Sequence, residues 1–414
     1  MKTKNYQVER RLINEGPAED LGIVVVLPAY DESDVLSVLE SISSCTFPKA
    51  LSIEVIIVFN ASEKDGLSVK ETNALGYHKV KEWILSRDGL RFNIYPMLMN
   101  GLPSKTAGVG LARKIGMDEA WRRLMSTGQS NGLIVNLDMD CKVESNYFTA
   151  LNEWRLSALD KEAASIYFEH PLPSGDHKVE AIVSYELHLR YFIEMQRWLG
   201  LPYAFHTIGS SMVVRAEAYG IVGGMNKRKA GEDFYFLHKL IKRDRFDDIT
   251  ETCVYPAARI SERVPFGTGK AIKDHLDHKR YAHTYSPKTF EVLSEAIVDV
   301  QQKLLSGMDD FYDMDKEWER PVRQFFDLTD IRSKWVEIFR HASTPETRLK
   351  RFFLWFDEFM LMKYCHYCRD ADVSYSSSVK DAAMYLLRQL DYNTDEDLDT
   401  MDMLNILRQH QRAR

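Results

Sequence analysis

Two short acidic runs hold the residues best suited to chemistry. Asp138-Met139-Asp140 directly follows the mainly apolar residues 133–137, and an apolar run ending in acids sets them at the mouth of a sheet when the run is a buried strand. Two carboxylates one residue apart can jointly face a hard divalent cation and a sugar-nucleotide diphosphate, whose charge the cation neutralises. The alternative is a polar strand end with solvated acids. Gly231-Glu232-Asp233 precedes a helical run at 234–241. Sugar transfer to a hydroxyl with inversion needs a carboxylate to take the acceptor's proton, and Asp233 can be that base. Helix capping explains the same pair, because acids in a first turn are favoured by the macrodipole.

A third stretch, ARISERVPFGTGKA at 258–271, sets Arg259, Arg263 and Lys270 around Gly267-Thr268-Gly269. Cations and free backbone N–H groups suit a departing nucleoside diphosphate. An ordinary glycine-rich turn is the alternative, and Val264 stands where a Walker A loop needs glycine. Other signals weigh less. Cys365-His366-Tyr367-Cys368 has zinc-like spacing without a second pair, and Phe352, Phe353, Trp355, Phe356, Phe359 and Met360 nearby point to buried thiols on a helix. Asp391, Asn393, Asp395 and Asp402 outline a calcium loop, but Glu396 occupies the turn that requires glycine. His275 and His278 could complete a metal shell, although a surface helix carrying histidine is the commoner arrangement. Tyr185, Tyr191, Phe192 and Trp198 could stack on sugars, but their helical spacing favours core packing.

The elements that must position these groups follow from periodicity. Residues 22–27 (GIVVVL), ending at Pro28, read as a fully buried strand of a parallel sheet, and Leu36, Leu39 and Ile42 then recur at helical spacing. Strands at 53–59, 92–97 and 133–137 alternate with helices at 69–85 and 109–124. That alternation predicts an α/β fold, a mostly parallel open sheet flanked by helices with ligands at the strands' carboxyl ends. Helices at 144–159 and 179–199 and a strand at 211–215 come next, and amphipathic helices, including 352–364 and 379–390, dominate from about 290. The expected division is an N-terminal extension at 1–20, a catalytic domain at 21–285 and a helical C-terminal region at 286–414.

With 414 residues, 45% of them hydrophobic and 28% charged, the chain has a globular composition. Its net charge of −7, without a run of Lys or Arg, argues against nucleic acid as partner. No apolar leader and no stretch of ~18 apolar residues is evident, so a cytoplasmic protein without a transmembrane segment is expected, with peripheral membrane contact left open. Five scattered cysteines fit reduced thiols.

The phrases LPAYDE, GVGLARKIGMDEA, LDMDC and GSSMVVRAEAYGIVGGMNKRKAGEDFYFL, in that order within residues 22–270, resemble family 2 glycosyltransferases of the GT-A fold. The resemblance implies a nucleotide-sugar-binding half at 21–141 and an acceptor half at 142–285. It sets Pro28, Ala29, Tyr30, Asp31 and Glu32 against the nucleoside and Arg113 under the nucleotide. Asp138 would face the ribose or sugar, Asp140 would hold Mn²⁺ or Mg²⁺ with His278 as a further candidate ligand, and Asp233 would be the base of an inverting transfer. Arg263 and Lys270 join the donor site through their charge. One departure is that the second strand ends Val58-Phe59-Asn60-Ala61-Ser62 instead of in consecutive acids. Asn60 can still pair with a base edge, since an amide both donates and accepts. A UDP-sugar and a GDP-sugar therefore both remain open as donor, with a saccharide or other hydroxyl as acceptor. Two rival readings are a nucleotidyltransferase and a catalytically silent nucleotide-sugar-binding or scaffold relative. A dehydrogenase is disfavoured, because no Gly-x-Gly-x-x-Gly follows the first strand.

Overall fold

In the first strand, β1 (Leu21–Ala29), every residue is buried, because it lies inside the sheet with a parallel neighbour on each side. The computed structural model describes residues 6–8, 10–260, 267–309, 311, 318–394 and 398–414, without the side chain of residue 176. After β1 come α1 (Ser37–Ser43), β2 (Ser52–Ser62), α2 (Leu67–Leu85), β3 (Asn93–Leu102), α3 (Val109–Ser126) and β4 (Leu133–Asn136). Next are β5 (Lys142–Val143), α4 (Tyr147–Ser157), β6 (Ala163–Phe168), α5 (Asp176–Trp198), β7 (Met212–Arg215), α6 (Ala216–Ile221), α7 (Glu232–Ile241) and β8 (Phe246–Tyr255). The described residues of these strands form an eight-stranded sheet in the order β3-β2-β1-β4-β7-β6-β8-β5. Its β1, β2, β3 and β4 pair in parallel, with Val25 aligned to Val55 on one side and to Val135 on the other. Pairing turns antiparallel at β7, between β4 and β6, and again where β5 meets β8. The expected α/β architecture, a mostly parallel sheet flanked by helices with a helical C-terminal part, is the one observed.

The described chain forms two compact units, the first being Met1–Pro173, Phe205–Lys270 and His410–Arg414, the second Ser174–Ala204 and Ala271–Gln409. The first holds the whole sheet. Within it Tyr6, Leu12 and Ile13 fasten onto α3: the Tyr6 hydroxyl donates to Asp118 at 2.5 Å, and Glu119 accepts the backbone N–H groups of Leu12 and Ile13. On the same helix the buried Arg123 forks onto the buried Glu54 at 2.5 and 2.6 Å. Late in the chain Arg412 grips both carboxylate oxygens of Glu144 at 2.6–2.7 Å.

The second unit contains α5 and, after α8 (Thr268–His278), the elements β9 (His283–Tyr285), α9 (Pro287–Ser306), α10 (Arg320–Leu328), α11 (Ile331–His341), α12 (Pro345–Trp355), α13 (Glu358–Ala371), β10 (Ser376–Ser378) and α14 (Val379–Gln389). The last helix is α15 (Thr400–Arg412). Phe290, Trp335, Phe352, Phe356 and Tyr364 fill the core of this unit. The fully buried Glu186 carries the charges of Arg190 and Arg408, at 2.7–2.9 and 2.7–2.8 Å. Cys365 and Cys368 are buried on α13, as hydrophobic packing requires. Tyr191 is buried, while Trp198 is 36% exposed and so only partly joins that packing. No helix among the described residues is long and apolar enough to cross a membrane.

Three local readings change. The expected helix at 352–364 is two helices, because Asp357 accepts the N–H groups of Phe359 and Met360 and so caps a new one. Strands β6 and β8 were not expected. His275, read as a surface histidine, is buried within α8, whereas His278 at its end is exposed.

Candidate functional site

The carboxyl ends of β1 and β4 open side by side, and the candidate residues gather there. After β1 the chain turns at Asp31, whose φ of 51° is left-handed. A ladder of amides holds that turn. Asn73 of α2, 1% exposed, accepts the Asp31 N–H at 3.1 Å and donates to the Asn60 carbonyl at 2.9 Å and to Asn100 Oδ1 at 3.1 Å. The Asn60 amide donates in turn to the Ala29 carbonyl at 2.8 Å and is itself buried. One of its two amide N–H groups is therefore spent on the loop, and base-edge contact stays an expectation. Pro28 and Ala29 are the last buried residues of β1, followed by half-buried Tyr30.

Arg113 ties the two acidic runs together. It lies in the first turns of α3, 4% exposed. Its Nη2 donates to Asp138 Oδ1 at 2.7 Å, its Nη1 pairs with Glu232, and Asp233 Oδ2 lies 3.7 Å from that nitrogen. Burial works against the charge of Arg113, but Asp138, Glu232 and Asp233 outweigh it and hold its pKa above the usual arginine value. Glu232 shows the opposite balance: burial raises its pKa, opposed by Arg113 and reinforced by Asp233. Two glycines permit this packing. A Cβ on Gly209 would stand 2.4 Å from Arg113 Nη1, and one on Gly110 would stand 2.1 Å from the Arg228 carbonyl and 3.0 Å from Glu232. Asp233 opens the first turn of α7 with its side chain 26% exposed, and its Oδ1 accepts the Phe234 N–H at 2.8 Å.

A second arginine closes the other side. Arg259, beyond β8, donates from Nε to Asp140 Oδ2 at 2.9 Å and from Nη2 to both oxygens of Glu32 at 2.6 and 2.7 Å. Burial pushes the Asp140 pKa up, Asp138 and Glu32 add to that rise, and Arg259 opposes it. The site thus holds a surplus of carboxylates. Among the described residues no group of three or more His, Cys, Asp and Glu side chains is close enough to hold a metal alone. Magnesium at nucleotide sites takes only one or two protein carboxylates and completes its shell with substrate phosphates and water. Asp138 and Asp140 match that pattern in residue type and number, and the Arg259 guanidinium already pairs with Asp140.

The structure therefore brings Glu32, Arg113, Asp138, Asp140 and Asp233 into one connected cluster. Glu232 and Arg259 belong to it as ion-pair partners, Asn73 as a support that nothing in its sequence context announced. Lys270 lies in the first turn of α8, where the Thr268 hydroxyl meets the buried His170 Nε2 at 2.9 Å. His278 belongs to the second unit. Arg263, Asp395 and Glu396 lie outside the described residues.

No protein-family model matches the chain, and no curated protein sequence does. Several solved structures are similar to it. S. aureus TarS 1–349 in complex with UDP-GlcNAc is 12% identical with a TM-score of 0.39, over 95% of this chain and 93% of that one. Glucosyl-3-phosphoglycerate synthase from Mycobacterium tuberculosis, in complex with Mn²⁺, UDP and phosphoglyceric acid, is 15% identical with a TM-score of 0.32, over 57% and 74%. Mannosyltransferase PcManGT from Pyrobaculum calidifontis, in complex with GDP-Man and Mn²⁺, is 12% identical with a TM-score of 0.35, over 98% and 91%. At such identities and scores the likeness assigns this chain no activity.

Proposed function

We propose that the chain is a metal-dependent glycosyltransferase that moves a sugar from a nucleoside-diphosphate sugar to an acceptor hydroxyl with inversion. The observation that carries this reading is the meeting of Asp138 and Asp233 on one buried guanidinium at the sheet's carboxyl edge. A diphosphate site and a proton acceptor are thereby held in fixed relation. The ordered resemblance over residues 22–270 supports the same reading. In this proposal the loop at 28–32 holds the nucleoside, with Asn60 and Asn73 keeping it in register, and residues 142–285 supply the acceptor side.

Asp140, with Asp138 beside it, would hold Mn²⁺ or Mg²⁺, and the ion would neutralise charge on the departing diphosphate. Asp233 takes the acceptor's proton on Oδ2, while the Phe234 N–H fixes its other oxygen. Arg113 sets the relative positions of Asp138 and Asp233 and keeps the buried Glu232 neutralised. Lys270 adds positive charge on the diphosphate side.

The test combines UDP and GDP thermal shifts, with and without Mn²⁺, and product analysis with UDP- and GDP-sugars. A ligand bound by the native state alone raises the melting temperature. Release of the nucleoside diphosphate is expected. Release of pyrophosphate would instead indicate nucleotidyl transfer, and neither turnover nor metal-dependent binding would leave a silent binding module.

A further inference from the structure

The acidic cluster already contains a cation of its own. Arg259 reaches Asp140 Oδ2 with two nitrogens, at 2.8 and 2.9 Å, and spans to both oxygens of Glu32. Glu32 is 5% exposed and anchored, whereas the Arg259 side chain is 40% exposed and long. A divalent ion bound to Asp140 would sit about 2 Å from its oxygen. The same Asp140 oxygen cannot serve both without bringing three positive charges together. An arginine cannot escape the conflict by losing its proton, so an ion that takes Oδ2 displaces it.

We propose that Arg259 is the resident counter-cation of this site, that it yields Asp140 to an incoming divalent ion, and that its guanidinium then turns to the diphosphate. Diphosphate oxygens accept the guanidinium fork as well as carboxylates do. Metal and nucleotide binding are thereby coupled: the ion displaces the arginine, and the nucleotide gives the displaced arginine a partner. Wild-type protein without nucleotide then binds metal weakly, and nucleoside diphosphate strengthens that binding beyond what its own phosphates contribute. This inference rests on the metal-dependent reading of the site.

The experiment is a Mn²⁺ titration followed by electron paramagnetic resonance, with and without UDP or GDP, on the wild type, Arg259→Gln and Arg259→Lys. Arg259→Gln is expected to bind Mn²⁺ alone roughly tenfold tighter, about 1.4 kcal/mol, and to lose about a tenfold share of the enhancement that nucleotide gives the wild type, the remainder coming from the phosphates themselves. Arg259→Lys keeps the charge without the fork and should fall between them. Equal or weaker binding of Mn²⁺ alone by Arg259→Gln overturns the displacement while leaving the metal-dependent reading standing. Absence of Mn²⁺ binding by every form, even with nucleotide, overturns both.

Discussion

Replacing Arg113 with methionine keeps much of the side chain's volume but removes the charge that Glu232 faces. The Glu232 side chain is only 3% exposed, so no water substitutes for the guanidinium. Breaking a buried ion pair from one side costs about 3–5 kcal/mol. Asp138 and Asp233, at 37% and 26% exposed, add little, because solvent screens them. At about 2–4 °C per kcal/mol for a unit of 150–250 residues, the melting temperature should fall by roughly 6–20 °C. The deficit should depend on pH. Glu232 already has its pKa raised by burial, and loss of Arg113 raises it further. A carboxyl raised in the native state contributes stability that is present below its unfolded pKa and lost as pH rises through its native one. Arg113→Met should therefore lie nearer the wild type at pH ~5 and farthest from it at pH ~7.5. Adding Glu232→Gln should restore most of the loss, since the buried charge is then gone. Calorimetry of the wild type, Arg113→Met, Glu232→Gln and the double variant at both pH values decides the matter. A deficit of the same size at each pH, or a double variant as unstable as Arg113→Met, would refute the assignment of the cost to Glu232.

Three further outcomes follow from the same geometry. Asp233→Asn should lower turnover by ~10²–10⁴-fold with the donor's dissociation constant nearly unchanged; if Glu232→Gln is instead the deleterious change in steady-state kinetics, Asp233 is only a cap. Asp140→Ala should abolish the dependence of nucleoside diphosphate binding on Mn²⁺, and Asp138→Ala should weaken binding less; calorimetry showing wild-type affinity equal with and without metal contradicts this. Asn73→Ala removes the side chain that accepts the Asp31 N–H and donates to the Asn60 carbonyl, at about 0.5–1.5 kcal/mol per hydrogen bond lost. It should speed hydrogen exchange at Asp31 and raise the donor's KM with little change in kcat, whereas unchanged exchange would show that the amide ladder does not hold the turn.

The half of the sheet nearest β1 was legible because its strands are buried on both faces, so β1, β2 and β4 read as mainly apolar runs despite Glu54 in β2 and Asn136 in β4. Strand β8 escaped notice because Asp247, Asp248 and Glu251 interrupt its pattern, and β6 because its six residues follow a helix with only a short turn between. At 352–364 the aromatic run suggested one helix, since Asp357 acts as a cap only in three dimensions. The site divides in the same way. Asp138, Asp140 and Asp233 announced themselves by position at element ends, and Arg113 only through the family resemblance. The partnership of Glu32 with Arg259 joins residues 227 apart, and Asn73 looks like any polar residue of an amphipathic helix until the backbone groups it satisfies are known. No local pattern encodes either.

The three-part make-up of the first unit also bears on how it comes to be assembled. Its segments Met1–Pro173 and Phe205–Lys270 are complete long before its final piece, His410–Arg414, exists. Glu144 and Arg412 are 268 residues apart, which at ~5–20 residues per second corresponds to tens of seconds of synthesis. Throughout that interval Glu144, beside β5, lacks the Arg412 guanidinium that it meets in the finished unit. So long a loop also makes its closure a slow, late event in refolding. The helical turn that carries Arg412 is thus a latch on a unit whose sheet is built from residues far upstream.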